Sequence, residues 1–258
     1  MPEFTDLLRR NRNYRFTWLG QVVSETGDYF NNIAVFSLAM AATRSGLVVS
    51  GVMLARAIPA VLAGPVAGVA LDRFDRRRIM LASDLIRAVV ALAFIAAVRH
   101  PSAWLLYTLS GLLMFVSPFF TSGRAAILPA IASQAELHTA NSLTQTTQWA
   151  TLTAGTMLAG FAVARLGFAW AFALNSLSFV FSAFAVWQLR APGGFVAERG
   201  RNSAGGLVRP WREYVEGLEY IRATPLVFWI GMVSVGWATG GGAAQILFTL
   251  FGEQVFRR

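Results

Sequence analysis

The 258-residue chain is 55% hydrophobic and 14% charged, with a formal charge of +9, whereas soluble domains hold about 25% charged residues. This composition excludes a soluble globular domain and places the chain among membrane proteins. Cysteine is absent and all 22 basic residues are arginine, which excludes disulfides, Cys-ligated metal centres, a P-loop lysine and a Schiff-base lysine.

Residues 1–15 form a short N-terminal segment carrying Arg9, Arg10, Arg12 and Arg15. The apolar run that follows is too long for the core of a secretory signal, and it contains Glu25 and Asp28. Runs of about 20 apolar residues cross a hydrocarbon core as helices. On that measure the chain predicts spans over 16–42, 47–71, 79–98, 103–122, 141–164, 168–189 and 226–251. Six of them make a bundle over 16–189, a linker occupies 190–225, and a seventh span follows within 226–258.

Sixteen arginines fall on the side of the N-terminus and three in the short opposite connections, at Arg44, Arg99 and Arg165. The positive-inside rule therefore puts the N-terminus in the cytoplasm, with Arg257 and Arg258 falling outside. The basic residues are distributed by loop, so the charge gives no reason to expect nucleic acid as a partner. In the linker, Trp211, Val215, Leu218 and Ile221 recur at helical spacing opposite Arg212, Glu213, Glu216, Glu219 and Arg222, which predicts an amphipathic helix. Thr224 and Pro225 suit the cap and first position of the next helix.

Within the first span, Gln21, Glu25, Asp28 and Asn32 are spaced i, i+4, i+7 and i+11, so they share one helix face. Such a stripe costs several kcal/mol against lipid, on the order of 2–4 per carboxylate, and is expected to face a wet cavity. Asp28 and, nearer the end, Glu25 are candidates for proton coupling; the alternative for Asp28 is a structural hydrogen-bonding acid. Arg56 in the second span is an intramembrane cation that either pairs with Asp28 or Glu25 or meets an anionic substrate group. Asp84 and Arg87 lie one turn apart and read as a local pair.

Tyr107, Ser110, Met114, Ser117 and Thr121 align along the fourth span, and Asn141, Gln145, Gln148 and Thr151 along the fifth. Gln21, Asn32, Tyr107, Ser110, Gln145 and Gln148 are thus candidates to line a cavity for an amphipathic ligand, or else they bond neighbouring backbone. Gly64 and Gly68, with Pro59 and Pro65, are expected to allow close packing and bending. Gly240-Gly241-Gly242 invites local unwinding of the seventh span. His100 and His138 lie in loops, and no nucleophile–base or metal-ligand spacing is present, so no enzyme activity, cofactor or metal is expected.

Between the second and third spans, Gly68, Asp72, Arg73, Arg76, Arg77 and Arg78 make the pattern Gly-x-x-x-Asp-Arg-x-x-Arg-Arg-Arg. This resembles the signature loop of the major facilitator superfamily, in the branch of bacterial drug and siderophore exporters that includes the enterobactin exporter and macrolide efflux proteins. The family usually has Gly where this chain has Asp75. Residues 216–225 resemble the start of that branch's second half, and 155–160 its Gly-Pro-x-x-Gly-Gly segment with Thr156 in place of Pro.

The resemblance implies an all-α membrane protein in which this chain supplies the first six-helix bundle, a cytoplasmic linker and one further span. A C-terminal half is expected in the complete protein. It implies a gating role for Asp72, Arg73 and Arg76. Arg124, at the end of the fourth span, is the natural partner for Asp72, while Arg76, Arg77 and Arg78 read rather as charges that fix topology. The implied function is a multi-pass exporter of the bacterial inner membrane that moves small amphipathic molecules, of the drug or siderophore class, by proton-coupled alternating access. A non-transporting scaffold or sensor, or a defunct half-transporter, is the second reading that the chain's length invites.

Overall fold

A computed structural model describes residues 4–190, 194–195 and 219–255. The chain divides into two units, Met1–Ser203 and Ala204–Arg258. In the first, the described residues form α1 (Phe4–Arg10), α2 (Arg12–Thr43), α3 (Gly46–Arg73), α4 (Arg76–Arg99), α5 (Ala103–Ile131), α6 (Gln134–Leu166) and α7 (Phe168–Trp187). In the second, Glu219 to Ala223 are helical and α8 spans Pro225–Val255. No strand occurs among the described residues.

Local chemistry sets the helix ends. The Asn11 side chain accepts the Tyr14 N–H at 2.9 Å to start α2. Asp75 does the same for Arg78 at the start of α4, also at 2.9 Å. Each supplies an acceptor to one of the four orphan N–H groups of a helix N-terminus. Glu136 Oε2 accepts from both the N–H and the hydroxyl of Ser133, each at 2.9 Å, at the start of α6. Gly167 joins α6 to α7 at φ +84°, a left-handed conformation that favours glycine.

Among the described residues four helices, α3, α4, α5 and α7, are long and apolar enough to cross a membrane. With 32 and 33 residues, α2 and α6 are longer still but more polar, with part of their polar side chains buried in the bundle and part, such as Asn141 and Gln145, exposed. At about 1.5 Å per residue each reaches nearly 50 Å, more than a bilayer core requires. The helices also outrun the spans expected from hydropathy: α5 continues to Ile131 and α6 begins at Gln134. Apolar runs measure the hydrocarbon crossing, while the helix goes on into the interface.

In the bundle, α2 packs mainly on α7 and α6, α4 on α7 and α5, and α5 on α3. The interior holds Val35, Leu38, Phe94, Leu106 and Phe172, with Phe94 and Phe172 stacked at 5.0 Å. Large apolar side chains such as Val61, Leu62, Val89 and Trp170 are exposed, as a lipid-facing surface requires. Helix contact in lipid depends on close fit rather than water exclusion, and α2 achieves it with a seam of Gly20, Ser24, Gly27 and Asn31, all buried. At Gly27 a Cβ would lie 2.0 Å from Ser178 Oγ of α7.

Two expectations change. Gly64 and Gly68 face open space, with no atom within 4 Å of a Cβ built there, so neither is a close-packing position within the described structure. Small residues that do seat helices lie on α2 and α5, with Gly51 of α3, where a Cβ would meet the Tyr107 hydroxyl at 2.6 Å, and Gly155 of α6, where it would meet the Tyr29 ring at 2.6 Å. The backbone of 240–242 stays helical within α8, since i→i−4 bonding continues through the three glycines without a side-chain requirement. Most of the amphipathic segment expected in the linker, including Trp211, Arg212, Glu213, Val215, Glu216 and Leu218, lies outside the described residues.

Candidate functional site

The polar stripe of α2 faces three neighbouring helices. Buried Gln21 donates from Nε2 to the Thr144 carbonyl of α6 at 3.2 Å. Glu25 lies between α5 and α6: Oε1 accepts from Arg124 at 3.2 Å, and Oε2 lies 3.1 Å from Thr151 Oγ1. Asn32 Oδ1 accepts from the Arg56 guanidinium of α3. Between them Asp28 has a buried Oδ1 with no hydrogen-bond partner among the described residues.

Arg56 is held over the Phe36 ring at 5.6 Å and 3.9 Å from the Met114 sulfur, while its second terminal nitrogen is buried without a partner. An unpartnered buried acceptor and an unpartnered buried donor therefore face one interior. Each costs about 1–3 kcal/mol while unmade. Arg56 thus does not pair directly with Asp28 or Glu25 in this conformation; it binds the neutral Asn32 and acts on Asp28 through space.

Asp84 and Arg87 of α4 do form a pair, but it is fully buried, at 0% and 2% exposure. The Arg87 guanidinium sits over Phe120 at 4.5 Å and Phe179 at 4.3 Å. Arg87 is therefore an interior cation and not a surface charge that orients the chain. Together with Arg56 it is a cation whose field reaches Asp28. Three acids, Glu25, Asp28 and Asp84, thus share the interior with three arginines, Arg56, Arg87 and Arg124. At formal charge the six groups sum to zero.

The charged loop is arranged differently from expectation. Arg124 pairs with Glu25 and not with Asp72, because α5 carries it to the side of α2 rather than to the loop. Asp72 is 65% exposed on its side chain and lies 4.0 Å from Arg76. Arg76 also donates to the carbonyls of Leu71 at 3.3 Å and Ala126 at 2.8 Å. Arg77 donates to the Val186 carbonyl at 3.2 Å and to that of Trp187. These guanidinium groups therefore cap the ends of α3 and α7 and brace α5, satisfying carbonyls that a helix C-terminus leaves open. Arg73 is the last residue of α3.

The neutral candidates divide. Ser110 is buried with an unpartnered hydroxyl, and Met114 reaches Arg56. Tyr107 instead lines an open groove of roughly 510 Å³ between α3 and α5, with Trp104 and Pro59. Ser117 donates to the Leu113 carbonyl at 2.8 Å. Gln148 is half-buried, whereas Gln145 is exposed. Asn31 and Asn175 are also buried polar groups of the interior, which no acidic or charged motif marks in the sequence. The signal for Asn31 was its place one turn after Gly27 in the small-residue seam beside the acidic stripe.

A bundle of membrane helices with balanced charge in its interior defines a polytopic membrane protein of the transporter class. The chain belongs to the Major Facilitator Superfamily, which it matches over residues 17–257. It is 29% identical over 222 residues to the uncharacterized MFS-type transporter YfiS of Bacillus subtilis, covering 85% of this chain and 52% of that protein. It is 27% identical over 221 residues to the putative bacilysin exporter BacE of Bacillus subtilis, covering 83% and 52%. Against the multidrug efflux pump Tap of Mycolicibacterium fortuitum it is 29% identical over 198 residues, covering 74% and 47%. The chain thus spans about half the length of the curated relatives it matches. These relatives are transporters, not enzymes.

Proposed function

We propose that this chain forms the first half, with the opening helix of the second, of a proton-coupled exporter of small amphipathic compounds in a bacterial inner membrane. The observation that carries the proposal is the buried, unpartnered carboxylate oxygen of Asp28, set within reach of the fields of Arg56 and Arg87. A carboxyl held by hydrogen bonds resists titration, whereas one left open can gain and lose a proton with little rearrangement. Protonating it leaves the interior with one uncompensated arginine charge, which favours a different arrangement of α2, α3 and α5 and a different outlook of the cavity. Relatives described as exporters and efflux proteins support the outward direction and the ligand class.

In this scheme the Glu25–Arg124 contact and the Asp72–Arg76 contact are made in one conformation and exchanged in the other, so each helps set the equilibrium between the two. The second half closes the cavity from the other side. The test uses everted vesicles holding the complete protein, with ethidium as the probe and a proton gradient as the driving force. Asp28→Asn is expected to reduce gradient-driven ethidium uptake to background at unchanged protein level, and Asp72→Asn to slow it. Undiminished uptake by both variants would remove the assignment.

A further inference from the structure

At the end of the bundle that carries the N-terminus, three distant segments border an open surface pocket of roughly 370 Å³. Arg10, Asn11, Arg12 and Asn13 come from the elbow between α1 and α2, Glu136 from the first turn of α6, and Arg190 from just beyond α7. Hydrogen bonds hold the segments together. Asn13 Nδ2 donates to the Arg190 carbonyl at 2.6 Å, and its Oδ1 accepts the Arg190 N–H at 3.1 Å. Asn11 donates to the Ile131 carbonyl at 2.7 Å, and Arg12 to Gln188 Oε1 at 3.3 Å.

These bonds use the amides, the backbone and one nitrogen of the Arg12 guanidinium, while Arg10, Arg12 and Arg190 remain exposed. Among the described residues the ion pairs are Asp72–Arg76, Asp84–Arg87 and Glu25–Arg124, so no carboxylate is paired with the three pocket arginines. Glu136, the one acid in the lining, already accepts from Ser133 twice and from Asn11 at 3.4 Å. The pocket therefore offers three guanidinium groups against one capped carboxylate. Guanidinium forks match the spacing of phosphate oxygens.

The depth of the pocket selects the form of phosphate. Trp187 ends α7 three residues before Arg190 and is 59% exposed, and Phe4 on α1 is 44% exposed. Trp and Tyr are enriched at the headgroup level of a bilayer, the level that Trp187 indicates for this end of the bundle. A cationic site opening there faces the phosphates of anionic lipids, which attract arginine near the membrane surface.

We infer that this pocket binds the phosphodiester headgroup of an anionic phospholipid, with Arg10, Arg12 and Arg190 around the phosphate. The bound lipid ties the α1–α2 elbow to the ends of α6 and α7. Each arginine near such a surface contributes about fivefold in affinity.

Native mass spectrometry of the complete protein in a non-ionic detergent tests the inference, with dioleoyl-phosphatidylglycerol, dioleoyl-phosphatidylcholine and inorganic phosphate as probes. Retention of phosphatidylglycerol over phosphatidylcholine is expected, with a fall of about fivefold in Arg10→Gln or Arg190→Gln. A combined Arg10→Gln, Arg12→Gln, Arg190→Gln variant should lose the preference. The triple change of Arg44, Arg99 and Arg165 to Gln at the opposite helix ends should keep it. Should the pocket triple fail to fold, the single variants decide the question. Equal preference in the pocket variants and the wild type would overturn the site, and inorganic phosphate displacing the lipid at equal concentration would overturn the lipid as its occupant.

Discussion

Two adjacent stripes on α2, offset by one residue, divide the labour of that helix. Gly20, Ser24, Gly27 and Asn31 seat it on its neighbours, and Gln21, Glu25, Asp28 and Asn32, about 100° around the axis, carry the polar groups. The seam makes a direct prediction. Gly27→Ala puts a methyl 2.0 Å from Ser178 Oγ and 2.8 Å from Asn175 Oδ1, and overpacking of this kind costs about 1–3 kcal/mol. Thermal unfolding in detergent should show a lowered midpoint that Ser178→Gly partly restores. At the Asp84–Arg87 pair, Asp84→Asn leaves the guanidinium between Phe120 and Phe179 without its counter-charge. Breaking a buried pair costs about 3–5 kcal/mol. The double variant Asp84→Asn, Arg87→Gln should be more stable than Asp84→Asn alone; a double variant that merely sums two losses would mean the pair is not a unit.

The helix ends are where sequence chemistry acts most visibly on whole elements. Arg76 and Arg77 close the carbonyl ends of α3 and α7, so the charged loop braces the bundle in addition to any part it plays in orientation. At the start of α6, outside the expected span, the Ser133 N–H chiefly, with help from the Ser133 hydroxyl and Asn11 and against modest burial, holds the Glu136 carboxyl below its ordinary 4.5. The folded-state value is depressed, so the cap's contribution is fully present above about pH 4.5 and is lost as pH falls through that lowered value. Glu136→Gln should therefore lower stability by about 0.3–1 kcal/mol at neutral pH. The gap to wild type should narrow below pH 4.5; a gap independent of pH would show that the charge is irrelevant. The Ser-x-x-Glu spacing of 133–136 is legible in the chain, but Asn11 joining it across 125 residues is not.

On the scale of the molecule, the proposed orientation can be read out with single cysteines, since these 258 residues contain none and any elsewhere in the complete protein are first replaced by serine. Ser102→Cys, between α4 and α5, should react with a membrane-impermeant maleimide in intact cells, and Arg78→Cys, at the start of α4, only after lysis. Labelling in the reverse order would invert the topology. Composition, the lengths of the apolar runs and the charged loop were enough to establish an all-α membrane chain of this superfamily, and the 3.6-residue period alone exposed the acidic stripe on α2. Those properties are local, or follow from the bilayer acting as solvent on each segment in turn. Tertiary structure alone decided which cation each acid meets: Glu25 takes Arg124 from 99 residues away, Arg56 takes Asn32, and Asp28 keeps an oxygen unpartnered. Helical periodicity fixes the face a residue occupies on its own helix but not which neighbouring helix that face meets; that depends on where small residues let the helices close.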